Sequence, residues 1–335
     1  MTRAAVFGAG SWGTAFALVL ADAGADVTIW GRRPELCDAI NATHTNPDYL
    51  PAIALPPSIR ATHDPEEAAH RADLVVLAVP SQSLRENLAE WAPALPSSSA
   101  LVSLMKGVEL GTAKRMSEVI DDVTGAGPAR IAAVSGPNLA GEIAERQPAA
   151  SVVAATDDEL AKRIQRACHS PHFRPYTNHD LVGAELGGAV KNVIALAVGI
   201  AAGLGFGDNA RASVITRGLA ETARLGAALG ADAYTFSGLA GLGDLAATCM
   251  SPLSRNRSFG EKLGRGMSVA EIVAGTRQVA EGVKSCESIL DLAGRHDVDM
   301  PIVGHVASVV RGELTPAEMV GSLLSRSAKP ERHGH

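Results

Sequence analysis

The stretch RAAVFGAGSWGTAFALVLADAG, residues 3–24, decides how this chain folds. A short apolar run meets three glycines spaced Gly8-x-Gly10-x-x-Gly13, and a long apolar helix pattern follows at once. Strand, glycine turn and helix in that order open a βαβ unit. The first glycine permits a tight turn, the second leaves the backbone open to a pyrophosphate, and the third lets the helix pack close to the strand. The helix start adds N–H groups and the positive end of its dipole. The spacing alone arises often by chance; between a strand and a helix it predicts a dinucleotide site.

Outward from this unit the alternation continues. Further strands are predicted at ADVTIW (residues 25–30), ADLVVLAV (72–79), ALVSLM (100–105), RIAAVSG (130–136) and ASVVAAT (150–156). Each run is continuously apolar, as in strands covered on both faces. This predicts an α/β Rossmann-type doubly wound parallel sheet. Beyond FRPYTNHDLVG, residues 173–183, no convincing strand follows, and helical stretches are expected at 180–202, at 209–229 and in shorter pieces to about 324. The expected division is a dinucleotide-binding domain, 1–178, an all-α substrate domain, 179–325, and a disordered tail, 326–335.

Composition narrows the function classes. The chain has 335 residues, 46% hydrophobic and 20% charged, which is room for two domains. A net charge of -6 gives no reason to expect nucleic acid or an anionic membrane as partner. Cys37, Cys168, Cys249 and Cys286 form no C-x-x-C pair, and the histidines have no metal-ligand spacing, so no metal is expected. The cysteines read as reduced thiols in a reducing compartment. The first residues lack signal-peptide features, and the apolar run after Lys191 reads as too short and glycine-rich to span a bilayer. A cytoplasmic protein is expected.

The second strand ends in IWGRRPE, with Arg32 and Arg33 where an NAD site usually places an acid for the ribose hydroxyls. Arginine suits a 2′-phosphate, so NADPH is favoured and NADH is possible; the alternative is a solvated arginine pair before a Pro-started helix. VPSQ (79–82), MKGVE (105–109) and SGPNLAGEIA (135–144) follow the third, fourth and fifth predicted strands. In an open α/β sheet such segments line one crevice. Lys191 stands out separately, because residues 192–207 carry no charge at all. By itself it is either a snorkelling lysine or a buried cation with a task. Glu142, Glu145, Arg257, Lys262 and Arg265 read as solvated charges.

GAGSWGTAFA, VPSQ, KGVE, SGPNLAGEIA, AVKNVIALAVGIAAGLGFGDNARASVITRGLAE, TFSGLAGLGDL and SRNRSFGEKLGRG follow one another along the chain. EGVKSCESI and DMPIV come after them. This series resembles bacterial NAD(P)-dependent glycerol-3-phosphate dehydrogenase. The resemblance runs to about Leu324 and is most specific around Lys191-Asn192 and SRNR. It implies reduction of dihydroxyacetone phosphate to sn-glycerol 3-phosphate, the glycerophospholipid precursor, by a homodimer. By similarity Lys191 matches the proton donor/acceptor. Lys106, Gly136, Asn138, Asp244, Ser254, Arg255 and Asn256 match substrate positions. Ser11, Trp12, Arg32, Arg33, Lys106, Ala140, Arg255, Val279 and Glu281 match cofactor positions, beside Gly8, Gly10 and Gly13.

These residue types suit the reaction. A carbonyl that accepts hydride becomes an alkoxide, which an ammonium stabilises and protonates. Lys191 and Lys106 supply such groups, with Asp244 to hold and orient Lys191; otherwise Asp244 is only a helix cap. Arg255 offers a planar fork for a phosphate, and Ser254 and Asn256 add neutral donors at what reads as a helix start. The family usually has Ser or Thr after SGP, where this chain has Asn138, whose amide can still donate to a substrate oxygen. Two alternatives remain: a dehydrogenase of another small hydroxy acid, and a dinucleotide sensor without catalysis.

Overall fold

The computed structural model describes residues 2–275 and 280–325. Its sheet has eight strands: β1 (Arg3–Phe7), β2 (Asp26–Trp30), β3 (Ile59–Thr62), β4 (Leu74–Leu77), β5 (Ala100–Ser103), β6 (Ile131–Ser135), β7 (Ala149–Ala155) and β8 (Phe173–Asn178). They lie in the order β3-β2-β1-β4-β5-β6-β7-β8. Neighbours are parallel except β6 and β7, which run antiparallel. The connections reverse direction between β1 and β4, and the crevice of such a sheet opens at that switch point.

Side-chain alternation divides the core into layers. Ala4 and Val6 of β1, with Leu74 and Val76 of β4, enter one cluster; Ala5, Phe7, Val75 and Leu77 enter another on the opposite face. That second layer is anchored by Trp91, whose ring centroid is 4.7 Å from those of both Phe7 and Trp30. Full burial of each such ring is worth roughly 1.5–3 kcal/mol.

Two strands escape the apolar-run reading. β3 is four residues long at one edge, with Arg60 exposed. β8, at the other edge, contains Pro175 and exposes Arg174, Tyr176 and Thr177. Edge strands tolerate both features, and neither shows as a continuous apolar run. The sheet is the expected doubly wound one and parallel but for a single antiparallel step, where β7 returns after only a short helix, Ala140–Ala144, and a turn.

From Leu181 onward every described element is a helix. The central helix, Leu181–Gly203, has 23 residues, 20 of them buried. By length and composition alone it could cross a membrane, with a mean hydropathy of 1.6 over an 18-residue window, but 89% of that window is buried inside the protein, as in the core helix of a folded domain. A helix apolar all round is what a domain centre requires. It packs against the helix Arg255–Gly264 through facing small residues. A Cβ on Gly199 would lie 2.1 Å from the Arg257 carbonyl, and one on Gly260 would lie 2.1 Å from that of Leu196. Glu185 ties the helix to the sheet-bearing half, accepting from the Ser117 N–H at 2.7 Å and from Arg115 at 2.6 Å.

A second buried carboxylate gives a pH prediction. Glu221, on the helix Asp208–Ala228, accepts the N–H of Ile302 at 2.9 Å at the start of the helix Pro301–Arg311. Burial, opposed by these hydrogen bonds, pushes its carboxyl up to about 7. The folded state then holds this proton more tightly than the unfolded chain. The contribution to stability is full below the ordinary glutamate range and is lost as pH rises towards 7. Glu221→Gln should remove that component, flattening the melting temperature between about pH 4.5 and 7 relative to wild type. An unchanged pH profile in the variant would contradict the assignment.

Candidate active site

The glycine loop lies where β1 ends. Gly8 has φ +133°, and a Cβ there would meet the Ala78 carbonyl at 2.4 Å, just beyond β4. A Cβ on Gly13 would stand 2.0 Å from the Gly8 carbonyl. Both positions therefore exclude a side chain. Gly10 is different: it precedes the helix Ser11–Asp22, no side chain caps that helix, and nothing lies within 4 Å of where its Cβ would be. This open helix start fits a pyrophosphate. Beside it, the Trp12 indole N–H is buried with no partner among the described residues.

At the end of β2, Arg32 and Arg33 are both exposed. Arg33 is paired with Asp48, whereas the two arginines stand alike in the sequence. No carboxylate among the described residues pairs with Arg32. Ala140 begins the short helix after β6, half-buried. Val279 and the tail 326–335 lie outside the described residues.

On the substrate side, three distant segments converge on one carboxylate. Lys106 follows β5, Lys191 lies within the central helix, and Asp244 begins the helix Asp244–Met250. Lys106 Nζ donates to Asp244 Oδ2 at 2.5 Å and to the Gly136 carbonyl at 3.1 Å. Lys191 Nζ donates to Asp244 Oδ1 and to Thr248 Oγ1, the latter at 2.8 Å. Lys191 is 8% exposed and Asp244 1%, so the lysine does not snorkel and the aspartate is more than a cap. Burial brings Lys106 down to about 8; Asp244 opposes that shift and Lys191 adds to it. Removing one partner of such a buried pair leaves an uncompensated charge.

Glu281 opens the helix Glu281–Arg295, half-buried. Burial pushes its carboxyl up, while Arg255, Lys191 and Lys106 pull it down. Three cations against two carboxylates suit an anionic ligand. Arg255 is exposed at the start of its helix, next to Ser254, whose Oγ caps the N–H of Arg257 at 3.3 Å.

Two expected ligands turn out to be engaged within the protein. Asn256 donates to Asn192 Oδ1 at 2.9 Å and accepts from the Gly282 N–H at 2.9 Å. Its carbonyl is thereby committed and one amide hydrogen remains for a ligand. Asn138 Nδ2, expected to meet substrate, donates to Ser151 Oγ at 3.1 Å; that hydroxyl donates in turn to the Ser135 carbonyl at 2.9 Å. Asn138 Oδ1 is buried with no partner among the described residues.

The sequence reading missed Thr248, although its place one turn after Asp244 on the same helix face could have suggested it. It placed VPSQ along the crevice but assigned Gln82 no contact. Gln82 donates to the Val108 carbonyl at 2.8 Å and accepts from the Leu110 N–H at 2.9 Å, fixing the loop that carries Lys106. Arg85 grips Glu109 of the same loop with two bonds of 2.9 Å. Among the described residues no three His, Cys, Asp or Glu side chains gather as metal ligands, and all four cysteines are buried free thiols.

Comparison with known proteins places the whole chain in one family. Residues 3–161 match the family description "NAD-dependent glycerol-3-phosphate dehydrogenase N-terminus", and residues 180–321 match its C-terminus. The chain is 67% identical to the glycerol-3-phosphate dehydrogenase [NAD(P)+] of Streptomyces avermitilis over 330 residues, 98% of each chain. The chain belongs to the NAD-dependent glycerol-3-phosphate dehydrogenase family. A Thermobifida fusca glycerol-3-phosphate dehydrogenase [NAD(P)+] is 63% identical over the whole of both chains. Among solved structures, the glycerol-3-phosphate dehydrogenase of Coxiella burnetii superposes with a TM-score of 0.92 at 37% identity, covering 97% of this chain and 99% of that one. Membership in this dehydrogenase family agrees with the resemblance read from the sequence motifs, both in the sheet-bearing half and in the helical half.

Proposed function

We propose that this chain is an NAD(P)-dependent oxidoreductase that reduces dihydroxyacetone phosphate to sn-glycerol 3-phosphate, reversibly, and so feeds glycerophospholipid synthesis. The observation that carries the reading is the buried Lys106–Asp244–Lys191 cluster, set in the same chain as an open glycine loop. When bound, a reduced nicotinamide supplies the hydride. In this reading Lys191 gives its proton to the developing alkoxide, and Asp244 holds the ammonium in place. Lys106, fixed by Gly136 and Asp244, adds positive charge beside the same oxygen. Arg255 clamps the phosphate, with Ser254 and the remaining amide hydrogen of Asn256 beside it. Gly136 and Asn138 line the substrate side, and Ser11, Trp12, Ala140 and Glu281 the cofactor side.

The reading includes a preference for NADPH through Arg32 and Arg33, a homodimer and a cytoplasmic location. It also divides the chain at residues 178 and 179, supported by the change from β8 to the central helix. A comparison of dihydroxyacetone phosphate with unphosphorylated dihydroxyacetone tests the substrate class. Turnover is expected only with the phosphate ester, and equal rates would reject it. Arg255→Ala should raise KM for dihydroxyacetone phosphate by about tenfold or more, the loss expected for a charge-assisted phosphate contact. Saturation at wild-type concentrations would remove Arg255 from the phosphate site.

A further inference from the structure

We propose that Asp48 sets the cofactor preference: Arg33 and Asp48 read the adenosine ribose together, the guanidinium taking a 2′-phosphate and the carboxylate taking a free 2′-hydroxyl. The proposal rests on the reading above, that the end of β2 holds this ribose.

The end of β2 has lost the acid of an NAD-preferring site and carries Arg32 and Arg33 instead. The structure returns a carboxylate to that place from elsewhere in the chain, because Asp48 pairs with Arg33. Asp48 belongs to a segment pinned at the glycine loop. Asn46, two residues earlier, is fully buried, and its Nδ2 donates to the Ala9 carbonyl and to Thr14 Oγ1, each at 2.9 Å. The Asn46 carbonyl accepts the N–H of Leu50 at 2.9 Å, closing the segment into a turn around Asp48. One turn therefore touches the pyrophosphate loop with its first residue and the ribose-side arginine with its third.

The pair has the exposure needed for exchange. The side chains of Arg33 and Asp48 are 50% and 42% exposed, so the ion pair is weak and a dianionic phosphate can displace the carboxylate. With NADPH, Arg33 turns to the phosphate, and Asp48 opposes the binding as a nearby like charge. With NADH, the pair stays intact and Asp48 accepts the hydroxyl. A site of this kind takes both cofactors, and its balance is set by one carboxylate.

The test compares kcat/KM for NADPH and for NADH in wild type, Asp48→Asn and Arg33→Ala. Asp48→Asn should raise the NADPH/NADH ratio by about fivefold, mostly through the two KM values, which is the range of an exposed charge pair. The shift should shrink at high salt. Dissociation constants from the fluorescence of the bound reduced nicotinamide should split in the same direction without turnover. Arg33→Ala should lower the ratio. A ratio that stays constant or falls in Asp48→Asn, while Arg33→Ala lowers it, overturns the role of Asp48 and leaves Arg33 as the phosphate reader. A ratio unmoved by either substitution overturns both.

Discussion

Replacing Lys191 with alanine lowers kcat by about 10²-fold or more and leaves NADPH binding largely intact. The loss follows from where the ammonium stands. It is buried, it shares Asp244 with Lys106, and Thr248 fixes its second direction. A group held that firmly meets the developing alkoxide without reorganising, which is where a proton donor is most effective. Folding should survive, because Asp244 keeps Lys106 as its partner in the variant. Lys191→Met, which retains most of the buried volume, controls for the cavity and should be as slow as the alanine variant. Steady-state rates with a parallel fluorescence titration of NADPH make the check. Near-wild-type turnover in either variant would remove Lys191 from the chemistry.

Replacing Asp244 with asparagine should cost both stability and rate. The substitution leaves two buried ammonium groups facing each other without a carboxylate, and breaking a buried pair in this way costs about 3–5 kcal/mol. The sign of its pH dependence is fixed as well. Burial and Lys191 already hold Lys106 below the ordinary lysine range, and Asp244 opposes them. Without Asp244 the Lys106 proton leaves more readily, so the stability deficit should shrink as pH rises. Urea denaturation of wild type and variant at several pH values reads both effects. A variant as stable as wild type, or a deficit that grows with pH, would show that the cluster is not charged as described.

The parts of this molecule legible in the sequence are those where one local pattern has one physical cause. Gly8, Gly10 and Gly13 sit between a strand and a helix, and the structure leaves no room for a side chain at Gly8 or Gly13 and open space at Gly10. The continuous apolar runs became strands covered on both faces, and residues 180–202 became the central helix Leu181–Gly203. What escaped depends on neighbours distant in the chain. β8 is a strand because β7 pairs with it, although Pro175 and its exposed residues argue otherwise. Asn256 reads as a ligand, but only its contacts with Asn192 and Gly282 show that its carbonyl is taken and one amide hydrogen is left, and Asn46 carries no signal at all until it meets Ala9. Lys191 shows both sides: its apolar setting raised the question, and only Asp244, 53 positions away, answers where the charge goes.

The most direct measurement follows the absorbance of the reduced nicotinamide as the purified protein meets dihydroxyacetone phosphate, first with NADPH and then with NADH. The account predicts turnover with both cofactors, faster with NADPH, and sn-glycerol 3-phosphate as the product. A folded protein that binds NADPH yet consumes neither cofactor would contradict the assignment of this cleft to catalysis.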